Sequence, residues 1–458
     1  MGFSEYDTIV AQITPPGRGA VGILRISGDQ SEAVALKILG KTPKVKYINY
    51  LSFFDSKGFI IDQGIVLWFL KPHSYTGENV LELQGHGSPV ILDLLMQHII
   101  SIPGVRIARP GEFSERAFLN GKLDLAQAES IMDIINASSE QAAKLSLKSL
   151  QGLFSIHIHD LIKNVIQIRV DIESEINFSE ENIHINFEKN INDQLQSVIS
   201  NINHILDLSK KGSILRESKK IVIIGHTNAG KSSLFNVLSC TNAAIVTDIQ
   251  GTTRDLLHEH IHIHGIPFEL VDTAGLRTTE DTIEKIGIER AWKIIDSSEY
   301  ILFVIDSTLD ESIKSNLYID FIQKISQKHR VIVILNKSDL LKRTVNRIKI
   351  INEIPFISVS AYTGDGIEFL RNYLQKLSIG VCNENIEGLF LARRRHLYAL
   401  EQALKTLSEG KKNWMNCNNI ELLAEDLCIT QNFLGQILGL FTTDNLLNSI
   451  FSDFCIGK

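Results

Sequence analysis

Short apolar runs alternate with turn signals over the first 121 residues, with the period of strands. TIVAQIT (8–14) and VGILRIS (21–27) flank a Pro15-Pro16-Gly17-Arg18-Gly19 turn. GIVLWFL (64–70) and NVLELQGHGS (79–88) continue the strand pattern, and PVILDLLMQHII (89–100) reads as a helix. An α/β domain is expected over 1–121. Near Leu123 the period lengthens, and Leu125, Ala128, Met132 and Ile135 recur at helical spacing. Ser138 and Gln141 have the spacing of a capping box opening the next helix. Helical patterning runs on to about Ser209, broken near NFSEENIH (177–184). From 219 to 381 strands and helices alternate, the pattern of a parallel sheet, and after Asn383 the helical period returns. The expected division is 1–121, 122–214, 215–381 and 382–458, an α/β multidomain chain without internal repeats. The pattern alone does not say whether the two helical segments pack together.

Length and composition change this picture little. A chain of 458 residues suggests roughly three domains. With 44% hydrophobic and 22% charged residues it builds several cores without difficulty. The net charge of −7 means that any contact with nucleic acid must use a local basic face. The five cysteines, Cys240, Cys382, Cys417, Cys428 and Cys455, form no C-x-x-C pair, which speaks against a disulfide framework or a zinc site and for a reducing, cytoplasmic setting. MGFSEYDTIV lacks the layout of a secretory signal, and Tyr6 stands where a myristoylation pattern wants Ser or Thr. No apolar run approaches the ~18 residues of a membrane span.

The chemistry is concentrated in 219–381. Residues 225–232 read GHTNAGKS, a P-loop match, between the apolar strand KIVII (220–224) and a helix-like SLFNVLS (233–239). That context lets backbone N–H groups and a helix N-terminus converge on phosphate. Asn228, Ala229, Gly230, Lys231, Ser232 and Ser233 are therefore expected nucleotide contacts, with Lys231 on the β- and γ-phosphates and Ser232 on Mg²⁺. Asp272, Thr273, Ala274 and Gly275 follow the strand PFELV, placing a carboxylate near the Mg²⁺ shell and a glycine amide near the γ-phosphate. Asn336-Lys337-Ser338-Asp339 follows VIVIL. The Asp339 carboxylate suits the N1–H and N2 donors of guanine, which adenine lacks, so the motif selects GTP. SVSA (358–361) supplies the backbone of Ser360 and Ala361 for guanine O6. Four motifs in this order describe a Ras-like GTPase. The position of the Ras glutamine is Leu276, which cannot orient water, so another group must.

Across its whole length the chain resembles the tRNA-modification GTPase family MnmE, also called TrmE. The resemblance is carried by TPPGRGAVGILRISG (14–28), ENVLELQGHGSPV (78–90), RPGEFSERAFLNGKLDLAQAE (109–129), TNAGKSSL (227–234), AAIVTDIQGTTRD (243–255), VDTAGLR (271–277), IEKIGIERAW (283–292) and the terminal CIGK (455–458). It implies an N-terminal folate-binding and dimerisation domain, a discontinuous helical domain and a G domain inserted into it. It implies a homodimer that works in the cytoplasm with the FAD-dependent protein MnmG, in a heterotetramer, on tRNA. The implied product is an aminomethyl or carboxymethylaminomethyl group on C5 of the wobble uridine. It further implies K⁺ in place of an arginine finger, with Asn228, Thr247, Ile249 and Thr252 as ligands. Such a cation would offset charge developing at the β/γ bridge. Thr247 and Thr253 join the nucleotide contacts, Thr253 as the second Mg²⁺ ligand, and Glu284 becomes the acidic residue that orients water. Arg25, Glu82, Lys122 and Lys458 match residues contacting a tetrahydrofolate derivative of the 5-formyl or 5,10-methylene type. Thr227 replaces the family's usual proline without deleting a ligand, and the serine of INFSEEN (176–182) also stands where proline is usual, from which nothing functional follows.

Other residues carry two readings. Cys455 is a nucleophile in one-carbon transfer or, more plainly, a packing residue near the folate. His260, His262 and His264 alternate with Ile261 and Ile263, which fits the exposed face of a half-buried strand better than a metal site. His86 belongs to a site or to a glycine-rich turn, and Arg393-Arg394-Arg395 to a phosphate contact or a solvated helix face. The alternative to a modifying enzyme is a GTP-switched RNA or ribosome assembly factor, which would have no use for Arg25, Glu82, Lys122 and the CIGK tail.

Overall fold

The computed structural model describes residues 7–137, 139–177, 187–213, 219–239, 257–264, 266–272, 294–325, 330–341, 348–379, 389–417, 419–440, 447, 450–452, 454 and 457. It divides into two compact units, one of 1–135, 147–203 and 398–458, the other of 136–146 and 204–397.

In the first unit six strands form one sheet: β1 (Thr8–Gln12), β2 (Gly19–Ser27), β3 (Asn49–Phe54), β4 (Ile60–Phe69), β5 (Val80–Gly87) and β6 (Val105–Ile107), in the order β3-β4-β5-β2-β1-β6. All neighbours are antiparallel except β1 and β6. Helices α1 (Ser31–Leu39) and α2 (Pro89–Ile100) cover one face. Val34, Ala35 and Ile38 of α1 and Leu92, Leu95 and Ile99 of α2 meet Leu24, Ile26, Val66, Trp68, Leu81 and Leu83 of the sheet. Each such aliphatic side chain contributes about 1.5–3 kcal/mol by leaving water. Pro89 opens α2, where its missing N–H costs nothing. Gly40 ends α1 in the left-handed region at φ 70°. The opposite sheet face is partly covered: Ile9, Ala11, Ala108 and Phe113 form a smaller cluster flanked by Tyr75.

Helices make up the rest of this unit, and some of them run on into the second. α3 (Glu112–Leu119) and α4 (Leu125–Ile135) follow the sheet. Leu125, Ala128 and Met132 pack against Ile450, Phe451 and Phe454 near the C-terminus. Ile135, expected on that stripe, is 44% exposed at the end of the helix. α5 (Glu140–Leu150) is capped by Ser139, whose Oγ accepts the Ala142 N–H at 3.1 Å; Ser138 lies outside the described residues. α6 (Leu153–Asn177) and α7 (Phe187–Ser213) bracket the break in the helical pattern.

In the second unit seven strands, β7 (Lys219–Gly225), β8 (Leu257–Ile263), β9 (Ile266–Asp272), β10 (Tyr300–Asp306), β11 (Val331–Asn336), β12 (Ile348–Ile351) and β13 (Ile354–Ser358), run in the order β12-β13-β11-β10-β7-β9-β8. The five central strands are parallel and the two edges antiparallel. Both faces are buried, so the strands read as unbroken apolar runs. Ile221, Ile223, Ile332 and Ile334 face one core with α8 (Lys231–Ser239), while Val222, Ile224 and Val333 face the other with α9 (Glu311–Lys324). α10 (Ile367–Ile379) adds Leu370 and Leu374 to the first core.

Two further helices among the described residues are α11 (Arg394–Cys417) and α12 (Ile420–Leu438). α12 packs on α6, with Arg169 Nη1 donating to Gln431 Oε1 at 3.3 Å. The helical segments before and after residues 219–381 do therefore pack together.

Candidate functional site

Parallel pairing of β7 and β9 sets Ile223 opposite Asp272, so the P-loop and the Asp272 carboxylate leave the sheet side by side. The loop turns through left-handed residues, Asn228 at φ 61° and Gly230 at φ 90°. Lys231 opens α8 and its Nζ donates to the His226 carbonyl at 2.9 Å. Burial holds the Lys231 ammonium below its usual range, against the pull of Asp272. Ser232 Oγ donates to Asp272 Oδ2 at 3.4 Å, and Asp272 is 1% exposed. A hydroxyl and a buried carboxylate at the mouth of a phosphate loop are a donor set that suits a hard divalent cation.

One buried amide ties the loops together. Asn336 Nδ2 donates to the Ala229 carbonyl at 2.9 Å, and its Oδ1 accepts the Ala361 N–H at 3.0 Å. Lys337 sits at φ 63°, with Nζ donating to Asp306 Oδ2 at 2.6 Å. Burial pushes the Asp306 carboxyl up, but bonds from Lys337 and Thr308 outweigh it and the net direction is down. Asp339 Oδ1 accepts the Ser360 hydroxyl at 2.6 Å. The structure thus brings Ala229, Gly230, Lys231, Ser232, Asp272, Asn336, Lys337, Asp339, Ser360 and Ala361 to one end of the sheet. Sequence reading missed Asp306, although an acidic residue ending the apolar strand YILFVID is a visible signal.

The first unit holds a second polar cluster. β2–β5 register places Arg25 opposite Glu82, and Arg25 Nε donates to Glu82 Oε1 at 2.8 Å. The guanidinium lies 5.1 Å from the Tyr75 ring centre and 5.7 Å from that of Phe113. Burial pushes the Tyr75 phenol up, opposed by its bond to Ser114 and by Arg25. Phe113 is fixed by its neighbour Glu112, which is 2% exposed and takes two bonds from Arg106, at 2.8 and 2.6 Å, and one from Arg116 at 3.1 Å. Burial alone would raise Glu112; these arginines and the Arg109 N–H lower it to about 2. Lys122 donates to the Pro72 carbonyl at 3.0 Å, and among the described residues no hydrogen bond joins it to Arg25 or Glu82. Gly457, in the left-handed region at φ 103°, is buried against β1, where a Cβ would stand 2.5 Å from the Gln12 carbonyl oxygen. Ala11, beside Gln12, pairs with Arg25. Gly457 therefore lies against the strand that pairs with the Arg25 strand. Tyr75 and Phe113 were missed because nothing local marks them.

Thr247, Ile249, Thr252, Thr253, Thr273, Ala274, Gly275, Leu276, Glu284, Cys455 and Lys458 lie outside the described residues. His86 stands on β5 and not in a turn, and Asp62 on β4 accepts from its ring Nδ1 at 2.7 Å and its N–H at 2.8 Å. On β8, Ile261 and Ile263 are buried while His260 is exposed and His262 half-buried, the alternation of an edge strand; His264 lies past the strand end, exposed in the turn at φ 50°. Among the described residues no cluster fit for a metal ion occurs and no helix is long and apolar enough to cross a membrane. Arg393, Arg394 and Arg395 each already engage another group.

Two family models match the chain: the MnmE helical domain over 125–455, and the N-terminus of the GTP-binding protein TrmE over 8–122. Among solved structures, the G domain of the T. maritima FeoB iron transporter is similar at 23% identity over 35% of this chain and 98% of that one, with a TM-score of 0.26. The FeoB G domain of Methanococcus jannaschii is similar at 26% identity over 36% of this chain and 98% of that one, TM-score 0.27. A GTP-binding protein of Sulfolobus solfataricus is similar at 19% identity over 61% of this chain and 80% of that one, TM-score 0.26. Membership is decided by the family models, which together span nearly all of the chain: it belongs to the MnmE (TrmE) family of tRNA-modification GTPases.

Proposed function

We propose that this GTPase is activated by potassium and, with the FAD protein MnmG, modifies C5 of the wobble uridine of certain tRNAs with a tetrahydrofolate one-carbon unit. Two observations carry the reading: the convergence of the P-loop, Asp272, Asn336 and Asp339 in one unit, and, within the other unit, a half-buried Arg25–Glu82 pair. In the GTPase half, Lys231 binds the β- and γ-phosphates, Ser232 and Thr253 hold Mg²⁺, and Asp339 reads guanine. Mg²⁺ and K⁺ supply positive charge where the transition state gathers negative charge. Asn228, Thr247, Ile249 and Thr252 are the proposed potassium ligands, and Glu284 orients the water that Leu276 cannot. Arg25 and Glu82 fit a ligand with carboxylates and an amino-substituted ring; Lys122 and Lys458 complete that proposed folate site, with Cys455 beside it.

The proposed organisation is a dimerising folate domain (1–121), a helical domain in two parts (122–214 and 382–458) and a G domain (215–381), assembled as a cytoplasmic homodimer. The test is nucleoside analysis of bulk tRNA by mass spectrometry, comparing a strain lacking the protein with one complemented by it. Loss and return of C5-aminomethyl-type uridines is the expected result. Unchanged uridines would leave a GTPase acting as an assembly factor.

A further inference from the structure

The net charge is −7, yet residues 41–60 contain four lysines and a single acidic residue, Asp55. This stretch forms the outer edge of the six-stranded sheet, since β3 has a neighbour only on its β4 side. Three of its aromatic rings face solvent, Tyr47 at 67% exposed, Tyr50 at 70% and Phe59 at 69%, while Phe53 is buried in the core. Lys44, Lys46 and Lys57 stand exposed among them. Among the described residues none of these three ammonium groups has a bonded carboxylate partner.

The surface is built and held. Asn49 pins the turn before β3, accepting from Lys44 N–H at 3.3 Å and donating to the carbonyls of Lys44 at 3.2 Å and Tyr47 at 2.9 Å. Lys46 N–H donates to the Trp68 carbonyl at 3.0 Å. Asp55, the lone acid, spends its charge inside the hairpin by accepting from Lys57 N–H and Phe59 N–H, each at 2.8 Å. Hydrogen bonds from the Phe59 backbone hold its carboxyl below the usual range. Across the pair, Tyr50 lies opposite Ile65, another exposed apolar side chain. From Tyr50 to the hairpin tip the strand runs about 16 Å at ~3.3 Å per residue, room for more than one unpaired base.

We infer that this edge binds unpaired bases of an RNA loop, stacking them on Tyr47, Tyr50 and Phe59 while Lys44, Lys46 and Lys57 meet the phosphates. Rings tolerate any base and lysines neutralise the backbone, the combination that single-stranded nucleic acid requires. A folding core would hide the rings; lysines alone would serve to block strand-to-strand pairing at this edge, so it is the exposed rings beside them that point to bases. The choice of RNA rests on the tRNA-modification reading.

The experiment uses the full-length protein and fluorescein-labelled unmodified tRNA, read by anisotropy across a salt series. The triple variant Tyr47→Ala/Tyr50→Ala/Phe59→Ala is expected to bind at least about tenfold more weakly. Lys44→Gln/Lys46→Gln/Lys57→Gln is expected to bind more weakly and to flatten the log–log salt slope by about 2. GTP hydrolysis by each variant should match the parent protein and so reports folding. Unchanged binding in both variants, or no binding by the parent protein, overturns the inference. So does unchanged RNA binding with an altered oligomeric mass, which would make the edge a protein interface. If wobble modification stands in the parent strain while the variants bind normally, this inference fails alone. If the variants lose binding but no uridine depends on the protein, the modification reading fails and the surface stands.

Discussion

The nucleotide site and the Arg25–Glu82 cluster are both made where strands present polar groups, but by opposite means. In the parallel sheet, each functional group belongs to a loop leaving a strand's carboxyl end, so its motif is contiguous in the chain. In the antiparallel sheet, the pair is created by register: residues 57 apart meet because β2 and β5 align Arg25 with Glu82. A loop site tolerates changes in the sheet but not in the loop backbone. A register site depends on everything that fixes strands and helices around it. The two respond to different perturbations.

The sharpest break on the loop side is Gly230→Ala. Its φ of 90° disfavours any side chain, and a Cβ would stand 2.1 Å from Asn336 Nδ2, an atom already bonded to Ala229. Either the loop or the buried amide must move, stranding polar groups worth about 1–3 kcal/mol apiece. GTP binding by a fluorescent analogue is expected to fall about a thousandfold, with circular dichroism unchanged. An affinity within about threefold of the parent would show that the Asn336 staple is dispensable.

The corresponding break on the register side is Glu112. Its folded pKa of about 2 lies below the ordinary 4.5, so its contribution is present in full above pH 4.5 and is lost as pH falls through about 2. The gap corresponds to about 3 kcal/mol. Urea unfolding between pH 6 and 2, scaled to these values, should show that loss, and Glu112→Gln should flatten it. An identical pH profile in the variant would assign acid sensitivity to other carboxylates.

This contrast also explains what the sequence disclosed. The P-loop, Asp272, Asn336 and Asp339 were visible because motif order and strand context travel together in the chain. The stripe Leu125, Ala128 and Met132 was visible because burial repeats at the helical period, and Ile135 departed from it only where the helix ends. Tyr75 and Phe113 were hidden because each reads locally as an ordinary core or turn residue; only the tertiary fold places their rings against Arg25. β3 escaped because two of its outward positions, Tyr50 and Phe54, are aromatic, which blurs the alternation that marks an edge strand. At the start of α5 two adjacent serines offer the same cap, and Ser139 accepts the Ala142 N–H, while Ser138 lies outside the described residues.

A gentler test on the loop side is Asp306→Asn. The carboxylate holds Lys337 Nζ and takes two bonds from Thr308, at 2.9 and 2.7 Å. Lys337 is about one-third exposed, so solvent screens the pair and the loss is modest. Guanine-nucleotide affinity should fall about fivefold to tenfold with an unaltered melting temperature. A drop in melting temperature with unchanged affinity would make Asp306 a fold residue.

The smallest expected effect separates the two sites most cleanly, and it comes from a double-mutant cycle on Arg25→Met and Glu82→Gln. Both side chains are mostly buried, at 18% and 14% exposure, so removing one leaves the other short of a partner in a partly dry setting. Each single change should cost stability, and the double change should cost less than their sum by about 1 kcal/mol. Tyr75 and Phe113 enclose the guanidinium and favour a coupling toward the upper end of that scale. Strict additivity in urea unfolding would mean that register merely sets two independent side chains next to each other. Coupling would mean that the cluster is a preformed charge pair, which a ligand must compete with before either residue can bind it.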